Sequence, residues 1–427
     1  MHISRLTLTH FRGASSLPLD LHEHLNVFVG ANGAGKSTVL DAAAILLSWL
    51  ANRIKVSTAS ARPITESDIQ NGEFFAGLEL LLEFKNKKYQ WKLAKSRKGR
   101  ISKEERSNLH ELNQLSKQFQ ERITANDEQV NLPLLVYYPV NRAVLDIPLR
   151  IRGKHRFDLL TAYDESLTSG ANFRTFFEWF REREDLENEN LKYKDQLRMF
   201  DQKDVQWPDP HLTAVRQALE RFMPEFTGLT VRRNPLRMEV SKNGKPLTVN
   251  QLSDGEKCLM AMIGDLARRL AIANPVRKNP LHGEGIVLMD EIDLHLHPKW
   301  QRRVAPKLTE VFPRCQFLVS THSPHVMTHV QPENLFLLRQ TDTNLAADRP
   351  SESYGKNVDR ILEDLMGLET TRPDSVSEKL QDIYVLIDQE NLDTAKARID
   401  ELKIKIGEDP DLVKASVLIR RKELIGK

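Results

Sequence analysis

The sequence contains the stretch GANGAGKST, Gly30–Thr38, directly after the apolar run LNVFV and directly before an apolar-periodic segment. It fits the pattern G-x-x-x-x-G-K-[ST], in which glycines let backbone N–H groups turn inward around phosphates. The N-terminus of the following helix adds a dipole that favours negative charge. Because strand, loop and helix occur in the order that this chemistry requires, the stretch predicts a nucleotide-binding P-loop.

Two side chains of this loop have predicted roles in the site. Lys36 is expected to reach the β and γ phosphates, and the Ser37 hydroxyl to ligate Mg²⁺. ATP and Mg²⁺ are therefore the expected cofactors. The predicted nucleotide contacts within the loop are Asn32, Gly33, Ala34, Gly35, Lys36, Ser37 and Thr38.

A second motif, GIVLMDEID, is an apolar strand that ends in adjacent carboxylates. Asp290 is placed to hold Mg²⁺ through water, and Glu291 to orient and deprotonate the attacking water. We therefore predict Asp290 as a metal-site residue and Glu291 as the catalytic base.

Histidines that follow these acids allow a different interpretation. His295 and His297, together with His322 and His325, have residue types and spacings that would suit a zinc or manganese cluster. The P-loop gives the nearby acids a role in ATP chemistry instead, which makes magnesium on ATP the favoured metal. His325 is expected to help cap the helix that follows.

Composition limits the classes of protein that the chain can belong to. Of 427 residues, 40% are hydrophobic and 28% charged, which excludes a disordered tail-like chain. A net charge of +3 is too small to indicate a nucleic-acid partner without a local patch. The longest apolar run is about half of a membrane span, no signal-peptide pattern opens the chain, and two cysteines make no disulfide scaffold. We expect a cytoplasmic protein with no membrane partner.

The pattern of strands and helices predicts four regions. Alternation of helix and strand over 250–340 implies a parallel α/β sheet, and the last 75 or so residues look purely helical. The predicted regions are an ATPase lobe I over 1–150 with a charged helical insertion at about 96–130, a helical subdomain over 151–228, an ATPase lobe II over 229–345 and a helical C-terminal region over 346–427.

Two further motifs have parallels in a known class of ATPases. LSDGEK, Leu252–Lys257, resembles the LSGGQ-type signature of ABC ATPases, which caps the γ-phosphate bound by the opposite protomer. That resemblance implies nucleotide contacts from Ser253, Gly255 and Glu256, although Ser253 and Glu256 also fit a helix capping box. FLVSTHS ends in His322, which resembles the switch histidine of the same family and implies that it contacts the γ-phosphate.

The order P-loop, signature, acid pair, histidine is that of the ABC ATPase fold. The opening I-x-x-L-x-L-x-x-F-R-G, Ile3–Gly13, is similar to that of SMC, RecF and overcoming-lysogenization (OLD) ATPases. The spacing of about 215 residues between Lys36 and Ser253 is far larger than transporters use. The resemblance implies an α/β fold: a P-loop ABC-ATPase head of two lobes, with helical insertions and a helical C-terminal tail.

Four other stretches resemble small bacterial defence ATPases of Septu-type antiphage systems, which also occur in retron cassettes. They are YYPVNR, FRTFFEWFRERED, HLHPKWQ and SYGKNVDRILEDLMG. The resemblance implies an ATP-hydrolysing regulatory subunit that forms a head-to-tail homodimer or higher homo-oligomer through its ATP sites. Its implied partners are a separate HNH-type effector nuclease and, in retrons, a reverse transcriptase with its RNA or DNA product; we find no nuclease motif in the chain itself.

An alternative is a RecF-like DNA-repair or chromosome-maintenance ATPase that acts directly on DNA. Basic residues between Lys85 and Arg100 are interleaved with Tyr89 and Trp91, a pattern suited to single-stranded nucleic acid and equally to a solvated hairpin. A second basic stretch, 150–156, has the same two interpretations. Arg142 stands roughly where relatives have the Gln-loop.

Overall fold

The structure is a computed structural model that describes residues 1–97, 106–125, 129–140, 157–168, 173–197, 208–341 and 344–425. Arg142 and the basic stretch 150–156 lie outside these residues, as do Lys98 and Arg100. The chain divides into two compact units, Met1–Lys356 and Asn357–Lys427. None of the described helices is long and apolar enough to span a membrane.

Strands are concentrated in the first unit. In chain order they are β1 (His2–Phe11), β2 (Ala14–Asp20), β3 (Leu25–Val29), β4 (Phe75–Phe84), β5 (Lys87–Ser96), β6 (Leu134–Tyr138), β7 (Phe226–Arg233), β8 (Leu236–Lys242), β9 (Lys245–Thr248), β10 (Gly285–Met289), β11 (Cys315–Thr321), β12 (Leu335–Gln340) and β13 (Leu345–Asp348).

Helices occur in both units. In chain order they are α1 (Lys36–Lys55), α2 (His110–Ala125), α3 (Phe173–Leu197), α4 (Pro210–Phe222), α5 (Asp254–Ala273), α6 (Pro298–Val311), α7 (Pro324–Met327), α8 (Val358–Arg360), α9 (Asp374–Asp388), α10 (Leu392–Ile406) and α11 (Pro410–Ile425).

The central sheet carries the motifs. Its strand order is β13-β12-β3-β11-β10-β6, and the strands from β12 to β6 are parallel. Every residue of β3, β6, β10 and β11 is buried, as expected for a parallel sheet covered on both faces. The predicted parallel sheet is confirmed, and the antiparallel edge strand β13 is an addition to it.

A four-stranded antiparallel sheet, in the order β2-β1-β4-β5, packs with α1 and α2. Its edge strand β2 contains Pro18. Proline is tolerated there because an edge strand needs fewer ladder hydrogen bonds. Tyr89 and Trp91 of β5 point into this core, 5% and 1% exposed, and the Trp91 indole donates a hydrogen bond to the carbonyl oxygen of Leu46 at 3.3 Å.

The small sheet β7-β8-β9 lies beside α3 and α4. Its β8–β9 hairpin turns at Asn243 and Gly244, both with positive φ, as is typical of a two-residue Asn-Gly turn. A short 3-10 turn, Val249–Gln251, connects this hairpin to the signature motif, and Lys242 of β8 contacts Glu256 of α5.

The second unit is helical, as predicted. Helices α9, α10 and α11 share a core of their own that includes Leu380, Ile383, Ile399 and Ala415. Arg372 forms a forked pair with Asp409 at 2.8 and 3.1 Å, which ties the start of α9 to the start of α11.

Candidate ATP-hydrolysing site

Strand register brings the predicted catalytic motifs to one edge of the central sheet. Met289 of β10 pairs with Val319 of β11, and Thr321 of β11 pairs with Val29 of β3. Asp290, His322 and the P-loop therefore follow the ends of three adjacent parallel strands. Ligands of open parallel sheets bind at this carboxyl edge.

The P-loop is held closed by its own lysine. The Lys36 Nζ donates hydrogen bonds to the carbonyl oxygens of Gly30 at 2.9 Å and Ala31 at 3.0 Å. Burial lowers the pKa of Lys36, and the carboxylates of Asp290 and Glu291 act in the opposite direction.

The loop exposes its polar groups where a nucleotide would approach. Asn32, Gly33 and Ser37 are exposed, whereas Ala34 and the stem of Lys36 are buried. Gly35 has a left-handed φ of 84°, and a Cβ there would lie 2.5 Å from a methyl carbon of Leu345, so only glycine fits. Placement of these residues agrees with the predicted loop, while the nucleotide contacts themselves stay predictions.

Asp290 is a buried carboxylate, 2% exposed, with fixed partners. The Ser320 hydroxyl donates a hydrogen bond to it, and its backbone N–H donates to the carbonyl oxygen of Tyr138 at 2.8 Å. Ser320 Oγ also accepts a hydrogen bond from the backbone N–H of Glu291 at 2.8 Å. One serine therefore positions both acids, and sequence reasoning missed it because it is the next-to-last residue of the buried strand β11 and belongs to no recognisable motif.

Glu291 adopts a left-handed backbone conformation, φ 46°, which is rare for a non-glycine residue. Such strain is characteristic of functional sites. Its Oε1 lies 3.9 Å from Nε2 of His322. Burial and the charge of Lys36 lower the pKa of His322, and the nearby carboxylates only partly compensate. The predicted base and the predicted switch histidine therefore face each other beside Lys36.

The signature turn begins α5 with the capping box that the sequence suggested. The backbone N–H of Ser253 donates to Glu256 Oε2 at 2.9 Å, and the N–H of Glu256 donates to Ser253 Oγ at 3.4 Å. Glu256 Oε1 accepts a hydrogen bond from Lys242 at 2.5 Å. The Glu256 carboxylate thus has two structural partners, and its predicted nucleotide contact stays a prediction.

The histidines after the acid pair have separate positions. His295 is exposed with a positive φ of 61°, and His297 caps α6, because its Nδ1 accepts a hydrogen bond from the N–H of Lys299 at 3.2 Å. Within the described ranges, no group of three or more His, Cys, Asp and Glu residues could hold a metal ion. The zinc or manganese alternative therefore has no site among these residues.

A second hydrogen-bonded bridge links the loop after Glu291 to the switch segment. Gln301 Nε2 donates to the carbonyl oxygen of Leu296 at 2.9 Å, and Ser323 Oγ donates to Gln301 Oε1 at 2.7 Å. Ser323 also caps α7. The expectation that His325 caps this helix was wrong, because His325 lies inside α7 and Ser323 supplies the cap.

Arg12 belongs to the N-terminal motif Ile3–Gly13, which by itself assigns the residue no role. It donates hydrogen bonds to Asp41 at 2.8 Å and to Asp68 at 2.9 Å. Asp41 lies on α1, just over one helical turn beyond Lys36. The contact ties the N-terminal sheet to the P-loop helix.

The basic stretch of β5 differs from the predicted nucleic-acid pattern. Tyr89 and Trp91 are buried, so neither ring is available to stack on bases. Lys88 pairs with Glu83 at 3.4 Å. The aromatic part of that prediction is wrong, because alternate residues of a strand face opposite sides and both rings fall on the core side.

Comparisons with known proteins identify the family of the chain. Residues 25–328 match the family described as "AAA domain, putative AbiEii toxin, Type IV TA system". The chain is 30% identical over 451 residues to the retron Ec83 probable ATPase of Escherichia coli, an alignment that covers 93% of this chain and 82% of that protein. It is 35% identical over 113 residues to the Septu protein PtuA of Bacillus thuringiensis, covering 25% of this chain and 28% of that protein.

Among solved structures, the chain is similar to an SMC head bound to the C-winged helix domain of ScpA, with a TM-score of 0.47 and 18% identity over 82% of this chain and 98% of that one. The P-loop, the acid pair Asp290 and Glu291 and the facing histidine follow strands at one sheet edge, and the family match covers all of them. The chain therefore belongs to this AAA-domain family and is an ATPase related to the retron-associated ATPases.

Proposed function

We propose that this ATPase is the regulatory subunit of a bacterial antiphage defence complex and controls a separate effector nuclease. The similarity to retron and Septu proteins supports the proposal. The observation that carries its catalytic part is the convergence of Lys36, Asp290, Glu291 and His322 at the carboxyl edge of the central sheet.

Within the proposed site, each side chain has a distinct role. Lys36 binds the β and γ phosphates, Glu291 orients and deprotonates the attacking water, and His322 contacts the γ-phosphate. The exposed Ser37 hydroxyl and the Asp290 carboxylate are oxygen donors of the kind that Mg²⁺ prefers, so the donor set fits this ion. Bound there, Mg²⁺ supplies charge neutralisation at the phosphates.

The proposed assembly is a head-to-tail homodimer that holds two ATP molecules. Ser253 and Asp254 are exposed at the N-terminus of α5, a helix of 20 residues, and so can meet the phosphates of an opposite protomer. ATP binding would then close the dimer, and hydrolysis would reopen it and reposition the bound effector.

Co-expression with the adjacent genes tests the proposal directly. We expect a nuclease encoded beside this gene to co-purify with the tagged chain, and Glu291→Gln to abolish the protection of cells against phage in a plating assay. Glu310→Gln, an exposed glutamate of α6, is the matched control. Failure of any neighbouring product to co-purify, together with full protection by Glu291→Gln, would contradict the proposal.

The alternative, a DNA-repair or chromosome-maintenance ATPase acting directly on DNA, needs a nucleic-acid surface. The buried positions of Tyr89 and Trp91 weaken the stretch that suggested one. Salt-dependent binding of DNA by the isolated chain, without any neighbouring gene product, would favour this alternative.

A further inference from the structure

A cavity of about 630 Å³ lies at the opposite end of the central sheet from the P-loop. It is lined by the start of α4, by segment 277–282 that precedes β10 and by Arg314 that precedes β11. Because β10 and β11 are parallel, the segments before them lie at the amino edge of the sheet, whereas Asp290 and His322 follow the carboxyl edge. The length of a five-residue strand, roughly 16 Å, separates the two edges.

Four of the side chains that line the cavity are basic. Arg277, Lys278, His282 and Arg314 line it, and its lining includes no aspartate or glutamate. Among the described residues, none of these four forms an ion pair, and the buried Nε of Arg277 has no hydrogen-bond acceptor. Uncompensated positive charge around a concave surface focuses a potential that attracts anions.

The walls of the cavity suit a bound small molecule. Pro208, Pro210 and Pro280 restrict the backbone at its rim, and Thr213 and Gln217 add neutral polar groups. A restricted wall lowers the entropy cost of ordering the site around a ligand. The volume falls in the range of pockets that hold ligands of nucleotide size.

We propose that this cavity binds a phosphate-bearing ligand of nucleotide size. Two arginines and a lysine provide the paired N–H groups and the point charge by which proteins recognise phosphate. A free nucleotide and the phosphorylated end of a nucleic-acid strand present the same group to these side chains. The proposal does not depend on the antiphage role.

Binding to the P-loop must first be removed, so the test uses full-length Lys36→Ala protein. Fluorescence anisotropy would measure the binding of labelled AMP, labelled ATP and a 5′-phosphorylated oligonucleotide of about ten nucleotides. The same oligonucleotide with a 5′-hydroxyl shows whether the terminal phosphate is recognised.

The test variant, in the same background, is Arg277→Gln/Lys278→Gln/Arg314→Gln. The matched control is Lys405→Gln/Lys414→Gln/Arg421→Gln, which removes the same charge from exposed residues of the second unit. We expect the test variant to bind at least about tenfold more weakly than the control, because it loses charge-assisted hydrogen bonds.

The outcomes distinguish the sources of the phosphate. Binding of the nucleotides indicates a free nucleotide, whereas binding of the 5′-phosphorylated oligonucleotide alone indicates a strand end. Absence of binding by every probe, or equal binding by the test and control variants, would overturn the proposal. If the triple variant unfolds early in a thermal melt, the exposed single change Arg314→Gln decides the question by the same comparison.

Discussion

Gly255 of the signature turn lies directly against His295 of the loop that follows Glu291, the proposed catalytic base. A Cβ atom added at Gly255 would be 2.1 Å from the carbonyl oxygen of His295, far inside van der Waals contact. The two loops are therefore packed together within one protomer, and a shift in one must displace the other. This contact gives a structural route between the signature motif and Glu291, four residues before His295.

Gly255→Ala tests that contact. The new methyl group must push the His295 backbone away, so we expect ATP hydrolysis to fall by about tenfold or more, as small displacements at active sites do. Thermal unfolding should show at most the loss of a few kcal/mol typical of overpacking. Glu220→Ala, an exposed change on α4, is the control. Parental activity in Gly255→Ala would show that the contact does not matter.

Glu291→Gln should separate ATP binding from hydrolysis. The amide keeps the shape of the side chain but cannot take a proton from water, so we expect the hydrolysis rate to drop by roughly 100-fold or more. Light scattering in the presence of ATP should show that the dimer accumulates, because the dimer does not reopen without hydrolysis. The assigned base is wrong if Glu291→Gln hydrolyses ATP at the parental rate.

Ser320→Ala removes the hydroxyl that joins Asp290 to the backbone of Glu291. Leaving the buried Asp290 without this donor should cost roughly 1–3 kcal/mol. We expect a lower hydrolysis rate and a higher Mg²⁺ concentration for half-maximal rate, measured by phosphate release. Ser416→Ala, which removes a hydroxyl that donates to the backbone carbonyl oxygen of Leu412 within α11, should change neither quantity.

Gln301→Ala cuts the bridge between Leu296 and Ser323. We expect the loop and the switch segment to move independently, which should appear as faster amide hydrogen exchange in both segments. The rate of ATP hydrolysis should fall while the affinity for ATP changes little, because Gln301 does not belong to the P-loop. Unchanged exchange in the 321–327 segment would contradict this role.

The pKa of His322 should depend on Lys36. Burial and the positive charge of Lys36 both lower it below the ordinary histidine value, so the neutral ring persists to lower pH than in the unfolded chain. The contribution of His322 to the free energy of unfolding is therefore fully present above the pKa of an unfolded histidine, about 6.5. It falls as the pH drops through that value, because the unfolded chain then binds the proton more readily.

Lys36→Ala should therefore raise the His322 pKa, observed by NMR titration of labelled histidine in the nucleotide-free protein. Lys307→Ala, which removes an equal charge paired with Glu310, should leave the midpoint unchanged. A His322 midpoint that is the same in all three proteins would show that Lys36 exerts no electrostatic influence on the ring.

The local sequence predicted much of the candidate site at the carboxyl edge of the central sheet. Glycine spacing predicted the P-loop, apolar runs predicted the buried strands, and acids or a histidine at strand ends predicted Asp290, Glu291 and His322. These features can be predicted from the sequence because each depends on residues close together in the chain, where periodicity and turn chemistry act. The Ser253–Glu256 capping box could be predicted for the same reason.

Tertiary structure alone decided how these pieces meet. Ser320 reaches Asp290 across 30 positions of sequence, and Gly255 meets His295 across 40, because strand register and helix packing place them there. The same packing buries Tyr89 and Trp91 in the core. It also places four basic residues around the cavity at the amino edge of the central sheet. Contacts between distant segments depend on register and on burial of whole faces, and no local pattern in the sequence carries that information.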